Sequence, residues 1–236
     1  MINIDCINAS TEASDQMIKW LTAALQIQVN RDFAPIWGFG ANLFFVPKGG
    51  TTNPAHWQLV YLDNADVSGA LGYHDLTAAG LPLGKVFIRT TELAGDAWSV
   101  TASHELLEML VDPWIDTAVI LLNNDGSGTA YGYEVGDPVE TDSLGYVIND
   151  FKMSDFITPD WFNPPTLIPG GKFDFMGHVT APLQILPGGY AGVLNIGSSG
   201  GWTQIFGDGT TTTNVPKGSR RELRTKPHAQ RVRSKV

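Results

Sequence analysis

Apolar and polar positions alternate along the first third of the chain, and a 3.6-residue period replaces the alternation in two places. Residues 2–9 (Ile-Asn-Ile-Asp-Cys-Ile-Asn-Ala) read as a half-buried strand. Ser10 or Thr11 then opens a stretch in which Met17, Ile18, Leu21, Ala24 and Leu25 recur at helical spacing. Residues 42–46 and 57–62 are apolar runs closed by Pro47-Lys48-Gly49-Gly50 and by Asp63-Asn64, so both read as strands. Residues 70–74 and 85–89 follow as further strands, separated by a Gly80 to Gly84 loop. After the Gly95-Asp96 break comes the second helical stretch, residues 101–113, with Thr101 or Ser103 as its cap and Asp112-Pro113 as its stop. Beyond Pro113 helical periodicity is scarce. Residues 118–122, 146–148, 183–186 and 191–196 are short apolar segments among Gly, Pro, Asn and Asp, which predicts a β-rich or irregular half.

The second helix carries the candidate chemistry. At about 100° per residue, His104, Glu108, Asp112 and Glu105 fall within one arc of ~100°, while Leu106, Leu107, Leu110 and Val111 fall mostly outside it. Trp98 and Trp114 flank the helix, so its ionisable side chains are expected to be buried and therefore paired or ligating. A histidine and a residue four positions later project one turn apart and can share a metal ion, with the Glu after the histidine in reach of a water on it.

Composition narrows this further. A chain of 236 residues with 43% hydrophobic content can bury a substantial core, and 26 Gly with 14 Pro favours strands and turns over a bundle. The lone Cys6 has no disulfide or cysteine-knuckle partner, which leaves the redox compartment undecided. The net charge of -9 divides unevenly. Residues 217–236 hold eight of the fifteen Lys and Arg and one acid, +7, leaving -16 for the body. An acidic body argues against binding nucleic acid; the basic tail reads as disordered and suits contact with an acidic partner or assembly. No secretion signal and no apolar run near 18 residues is visible, so the expectation is a soluble chain with no membrane partner and no readable address.

The His104-Glu105-x-x-Glu108 pattern and the order of elements before it resemble the N-terminal half of zincin metallopeptidases, over roughly residues 1–115. Position i+4 is Glu108 where the zincin helix carries histidine. Tyr131-Gly132-Tyr133-Glu134-Val135-Gly136-Asp137 looks like the downstream glutamate segment of Glu-type zincins. The resemblance implies an α+β fold: a mixed twisted sheet with two main helices, then an irregular or β-rich C-terminal half. It implies a catalytic-type domain over 1–163, with a Gly/Pro-rich extension at 164–216 packed on it and the tail at 217–236.

For chemistry the resemblance implies a peptide hydrolase in which Glu105 activates a metal-bound water. His104, Glu108 and Glu134 would be ligands of one divalent ion, Zn(II) first, with Mn(II) or Ca(II) as alternatives given the oxygen-rich set. Asp112 competes with Glu134 for the third place, although it lies ~12 Å further along the helix axis than His104. Asp137 is the expected outer partner of His104, with Asp112 and His178 as further outer partners or alternative ligands. Tyr133, with Tyr131 or His178, would steady an oxyanion, and residues 70–75, including Tyr73 and His74, would form the edge strand lining a cleft for a peptide or protein substrate. The other reading is a structural or assembly protein, phage-related for example, that keeps such a scaffold with a structural ion or none. Residues 123–128 resemble part of a calcium loop but read better as a hairpin turn.

Overall fold

The computed structural model describes residues 1–163 and 170–212. The basic tail lies outside these residues, as do both ends of the 164–216 extension, 164–169 and 213–216.

The N-terminal part is a five-stranded mixed sheet. Its strands are β1 (Ile2–Asn8), β2 (Ala41–Val46), β3 (Trp57–Leu62), β4 (Gly72–Leu76) and β5 (Pro82–Phe87), in the order β2-β1-β3-β5-β4. The first four in that order run parallel, and β4 returns antiparallel to β5 as an edge strand. The parallel connections need crossovers, and helix α1 (Asp15–Ile27) supplies the first. Its cap is Ser14, whose hydroxyl accepts from the Met17 amide at 3.1 Å, four residues later than Ser10. Ile18, Leu21, Ala24 and Leu25 are buried, while Met17 is exposed at the rim.

Helix α1 runs on into a π-helical turn, Gln28–Phe33, and the four-residue α2 (Ala34–Trp37), stopped by Gly38 in the left-handed region. The π turn brings the fully buried Gln28 amide inward. Its Nε2 donates to Tyr146 Oη and to the Ser154 carbonyl, both at 3.1 Å, and its Oε1 accepts from Ser103 Oγ at 2.8 Å. Ser103 precedes His104, so this amide fixes the helix at the turn that carries the candidate chemistry.

That helix, α4 (Trp98–Val111), follows the short α3 (Ile88–Ala94). It begins three residues before Thr101, because the Ala97 amide finds a remote acceptor, Asp142 Oδ2 at 2.8 Å. Ser103, read as a possible cap, is instead an interior hydroxyl bonded to Gln28 and to the Ser154 amide. Every residue from Ala102 to Val111 is buried. The helix lies against β4 and β5, and Gly72 makes the approach possible: a Cβ there would sit 2.5 Å from Thr101 Cγ2 and 3.0 Å from Glu105 Cγ.

The C-terminal half is built on a four-stranded antiparallel sheet, β6 (Ala118–Leu122), β7 (Gly128–Gly132), β10 (Tyr190–Ile196) and β11 (Thr203–Phe206), ordered β11-β10-β7-β6. Residues 123–127 form the hairpin turn joining β6 to β7. Two strands come from before residue 164 and two from after it. A two-stranded hairpin of β8 (Tyr146–Ile148) and β9 (Phe151–Met153) completes the set. Residues 183–186 form no strand. One apolar core joins both halves, from Ile4 and Leu106 through Phe156 and Trp161 to Leu186 and Ala191. The fold is thus α+β, with a mixed sheet and helices. Among the described residues, no helix is long and apolar enough to cross a membrane.

Candidate metal centre

Three elements deliver six ionisable side chains to one buried place. Helix α4 supplies His104, Glu105 and Glu108; β4 supplies His74; the segment after β7 supplies Glu134 and Asp137. All six are buried, with exposures of 7% or less.

His104 Nε2 lies 3.3 Å from Glu108 Oε1 and 3.4 Å from Asp137 Oδ1. His74 Nδ1 lies 3.6 Å from Glu105 Oε2 and 3.6 Å from Glu108 Oε2, and its Nε2 lies 3.7 Å from Glu134 Oε2. Two groups of three emerge, His104-Glu108-Asp137 and His74-Glu108-Glu134, in each of which one ligand atom per residue lies within 4.8 Å of the others. Hydrogen bonds between such groups are ~2.7–3.2 Å long. Ligand atoms on ~2.0–2.2 Å bonds to one tetrahedral ion stand about 3.3–3.6 Å apart. The two contacts of His104 Nε2 fall at the second spacing, and those of His74, shared between its two nitrogens, lie at or just beyond its upper end.

The electrostatics point the same way. Burial works against charge on His104, yet the Glu108 carboxylate and the contact with Asp137 hold its imidazolium well above the ordinary histidine range. Burial, together with the charge of Asp137, pushes the Glu108 carboxyl up to about 8 against the pull of His104. Four carboxylates face two imidazoles, so this cluster retains protons that a cation would displace.

Several residues stand elsewhere than expected. Asp137, read as an outer partner, is the carboxylate beside His104, whereas Glu134 faces His74. The short 3-10 turn Asp137–Val139 brings Asp137 back over the helix. Asp112 joins neither group; its Oδ1 accepts from the Asp116 and Thr117 amides, each at 3.0 Å, and closes the turn after α4. Strand alternation separates Tyr73 from His74: the Tyr73 ring packs on Phe87, and its hydroxyl bonds Asp66 beside Lys85. Tyr133 packs edge-on against Trp37 and beside Phe162, and Tyr131 edge-on against Trp161. His178 sits with Asp155 and Asp174 in a separate group, its Nδ1 3.3 Å from Asp155 Oδ2. Burial and a hydrogen bond from Asp174 push the Asp155 carboxyl up to about 8.

A cleft of about 850 Å³ opens onto the centre. His104 and Glu105 line it together with residues 69–72, which lead into β4, and with Tyr190 and Phe206. Tyr190 is the tyrosine that shares a cleft with His104, and sequence reading missed it because it follows a Gly188-Gly189 pair that signals only a turn. No protein-family model, no curated protein and no solved structure matches the chain.

Gly136 offers a direct test. A Cβ at this position would lie 2.4 Å from His104 Nδ1 and 2.7 Å from Cε1, so the imidazole needs a glycine against it. The Gly136 amide also donates to Glu108 Oε1 at 3.3 Å. Gly136→Ala is expected to displace the ring and weaken Zn(II) binding by ~10–100-fold in isothermal titration, with the far-UV spectrum preserved.

Proposed function

We propose that this chain is a metal-dependent peptide hydrolase on a zincin-like frame. The observation that carries the reading is that His104 Nε2 lies 3.3 Å from Glu108 Oε1 and 3.4 Å from Asp137 Oδ1, with Glu105 on the same helical turn lining an open cleft. The donor set fits a divalent cation: one imidazole and two carboxylates balance its charge, and the oxygen-rich mixture suits Mn(II) as well as Zn(II). The frame supports the reading too, since the mixed sheet ends in an antiparallel edge strand whose first residues border the cleft.

A divalent ion held there supplies Lewis acidity, which polarises a carbonyl and acidifies water. The chain's own residues do the rest. Glu105 accepts a proton from the attacking water and returns it to the leaving amine. His74 Nδ1 lies 3.6 Å from Glu105 Oε2, so an imidazole faces the general base. The outer edge of β4 offers backbone groups to an extended peptide, which would lie along it as an added strand. Tyr190, which lines the same cleft as His104 and Glu105, is the hydroxyl that would steady an oxyanion there.

The reading is tested by stripping the protein of metal, reloading it separately with Zn(II), Mn(II) or Ca(II), and assaying each form on a broad peptide library. Turnover in at least one loaded form, abolished by chelator, is expected. A metal-replete protein inert throughout would overturn the hydrolase and favour a scaffold stabilised by its ion.

A further inference from the structure

We propose that the centre holds two divalent cations, with Glu108 as the carboxylate that bridges them. This rests on the metal-centre reading above and adds a second ion to it. The two oxygens of Glu108 face different histidines: Oε1 stands 3.3 Å from His104 Nε2, and Oε2 stands 3.6 Å from His74 Nδ1. Each side has its own further carboxylate: Asp137 Oδ1 lies 3.4 Å from the same His104 Nε2 that faces Glu108, while Glu134 Oε2 lies 3.7 Å from His74 Nε2, the other nitrogen of the ring that faces Glu108. One His74 nitrogen still lies within 4.8 Å of an oxygen of Glu108 and of Glu134. The first ion belongs to His104, Glu108 and Asp137; the second to His74, Glu108 and Glu134.

Charge accommodates the second ion. Glu105, Glu108, Glu134 and Asp137 are four acids at a place where none is more than 4% exposed. Once cations displace the protons the cluster retains and the imidazoles are neutral, one divalent ion leaves two carboxylate charges to be balanced by protons, and two ions balance all four. A buried charge left unbalanced costs several kcal/mol even after relaxation.

The same geometry accounts for the departure at position 108. An imidazole that coordinates one ion keeps a proton on its other nitrogen, whereas a carboxylate has two oxygens that can serve two ions at once. Two-ion hydrolytic centres place their ions ~3.5–4 Å apart, a separation a single carboxylate can span. A glutamate at this turn of α4 is therefore what a paired centre requires.

The competing account makes His74 a protonated clamp, with its Nδ1 turned to Glu105 and Glu108 and its Nε2 to Glu134, and no second ion. Metal-free protein dialysed against Mn(II), then analysed for metal per chain, separates the two. Two ions per chain are expected, falling by half in Glu134→Gln and in His74→Gln. Bound Mn(II) should also show an exchange-coupled electron paramagnetic resonance spectrum that reverts to an isolated-ion spectrum in either variant. One ion per chain with an isolated-ion spectrum in the unaltered protein would overturn the paired centre and leave the single-ion hydrolase standing. No ion at all would overturn both. Stoichiometry and spectrum of the unaltered chain decide the matter even where a variant fails to fold.

Discussion

Glu105→Gln is expected to lower peptide turnover by ~10²–10⁴-fold while leaving the metal content per chain unchanged. The substitution preserves shape and keeps an oxygen, yet an amide cannot take the proton that the attacking water must lose. Glu105 is placed for that task because it follows His104 directly on α4, lines the cleft, and is only 4% exposed. It is absent from both three-residue ligand groups, so its loss should not empty them. Single-turnover kinetics with elemental analysis on the same preparation checks both halves of the expectation. Wild-type turnover in the variant would remove Glu105 as the base.

Trp161→Ala is expected to cost about 3–5 kcal/mol of stability, the range for removing a large aromatic side chain from a core. Trp161 is 1% exposed, packs edge-on against Tyr131 and Phe162, and donates its Nε1 hydrogen to the Gln184 carbonyl at 2.8 Å. It joins β7 to the segment that leads into β10. A domain of ordinary stability has only ~5–15 kcal/mol in total, so much of the population should unfold under mild denaturant. Urea titration measures the shift, and a loss below ~1.5 kcal/mol would show that the neighbouring rings close over the gap.

Much of the first half was legible because its signals are local. Alternation marked β1, apolar runs closed by turn residues marked β2 and β3, and the 3.6-residue period with Asp112-Pro113 marked α4 and its end. Of the strand expected at 85–89 only residues 85–87 belong to β5, which begins at Pro82 inside the expected loop, and residues 88–89 open α3. Where a partner lies far along the chain, the reading drifted. The start of α4 depends on Asp142, forty-five residues after the Ala97 amide it accepts from. β11 and its pairing with β10 carry little alternation, because their neighbours in space supply the burial.

The site divides the same way. His104, Glu105 and Glu108 share a helical face by spacing alone, and their burial followed from the apolar helix around them. Which carboxylate meets which histidine was not legible. Glu134 and Asp137 are three residues apart, and the choice rests on the backbone path through Gly136 and the turn after it. His74 entered as a cleft residue; its inward direction depends on the face of β4 that meets α4, which only the packed sheet defines.

The amide of Gln28 has a kinetic consequence. Its contacts reach Ser103, Tyr146 and Ser154, the last 126 residues away in sequence. A chain emerging from the ribosome can wind α1 early, but it cannot lock the histidine-bearing turn of α4 until the β8–β9 hairpin has been made. The part of the cleft lined by Tyr190 comes later still. Loop closure over such separations precedes any reward from the contacts, which places assembly of the carboxylate cluster late and makes it slow relative to helix formation. Until then Glu105 and Glu108 stand in water apart from Glu134 and Asp137, and their charges meet only when the distant segments close.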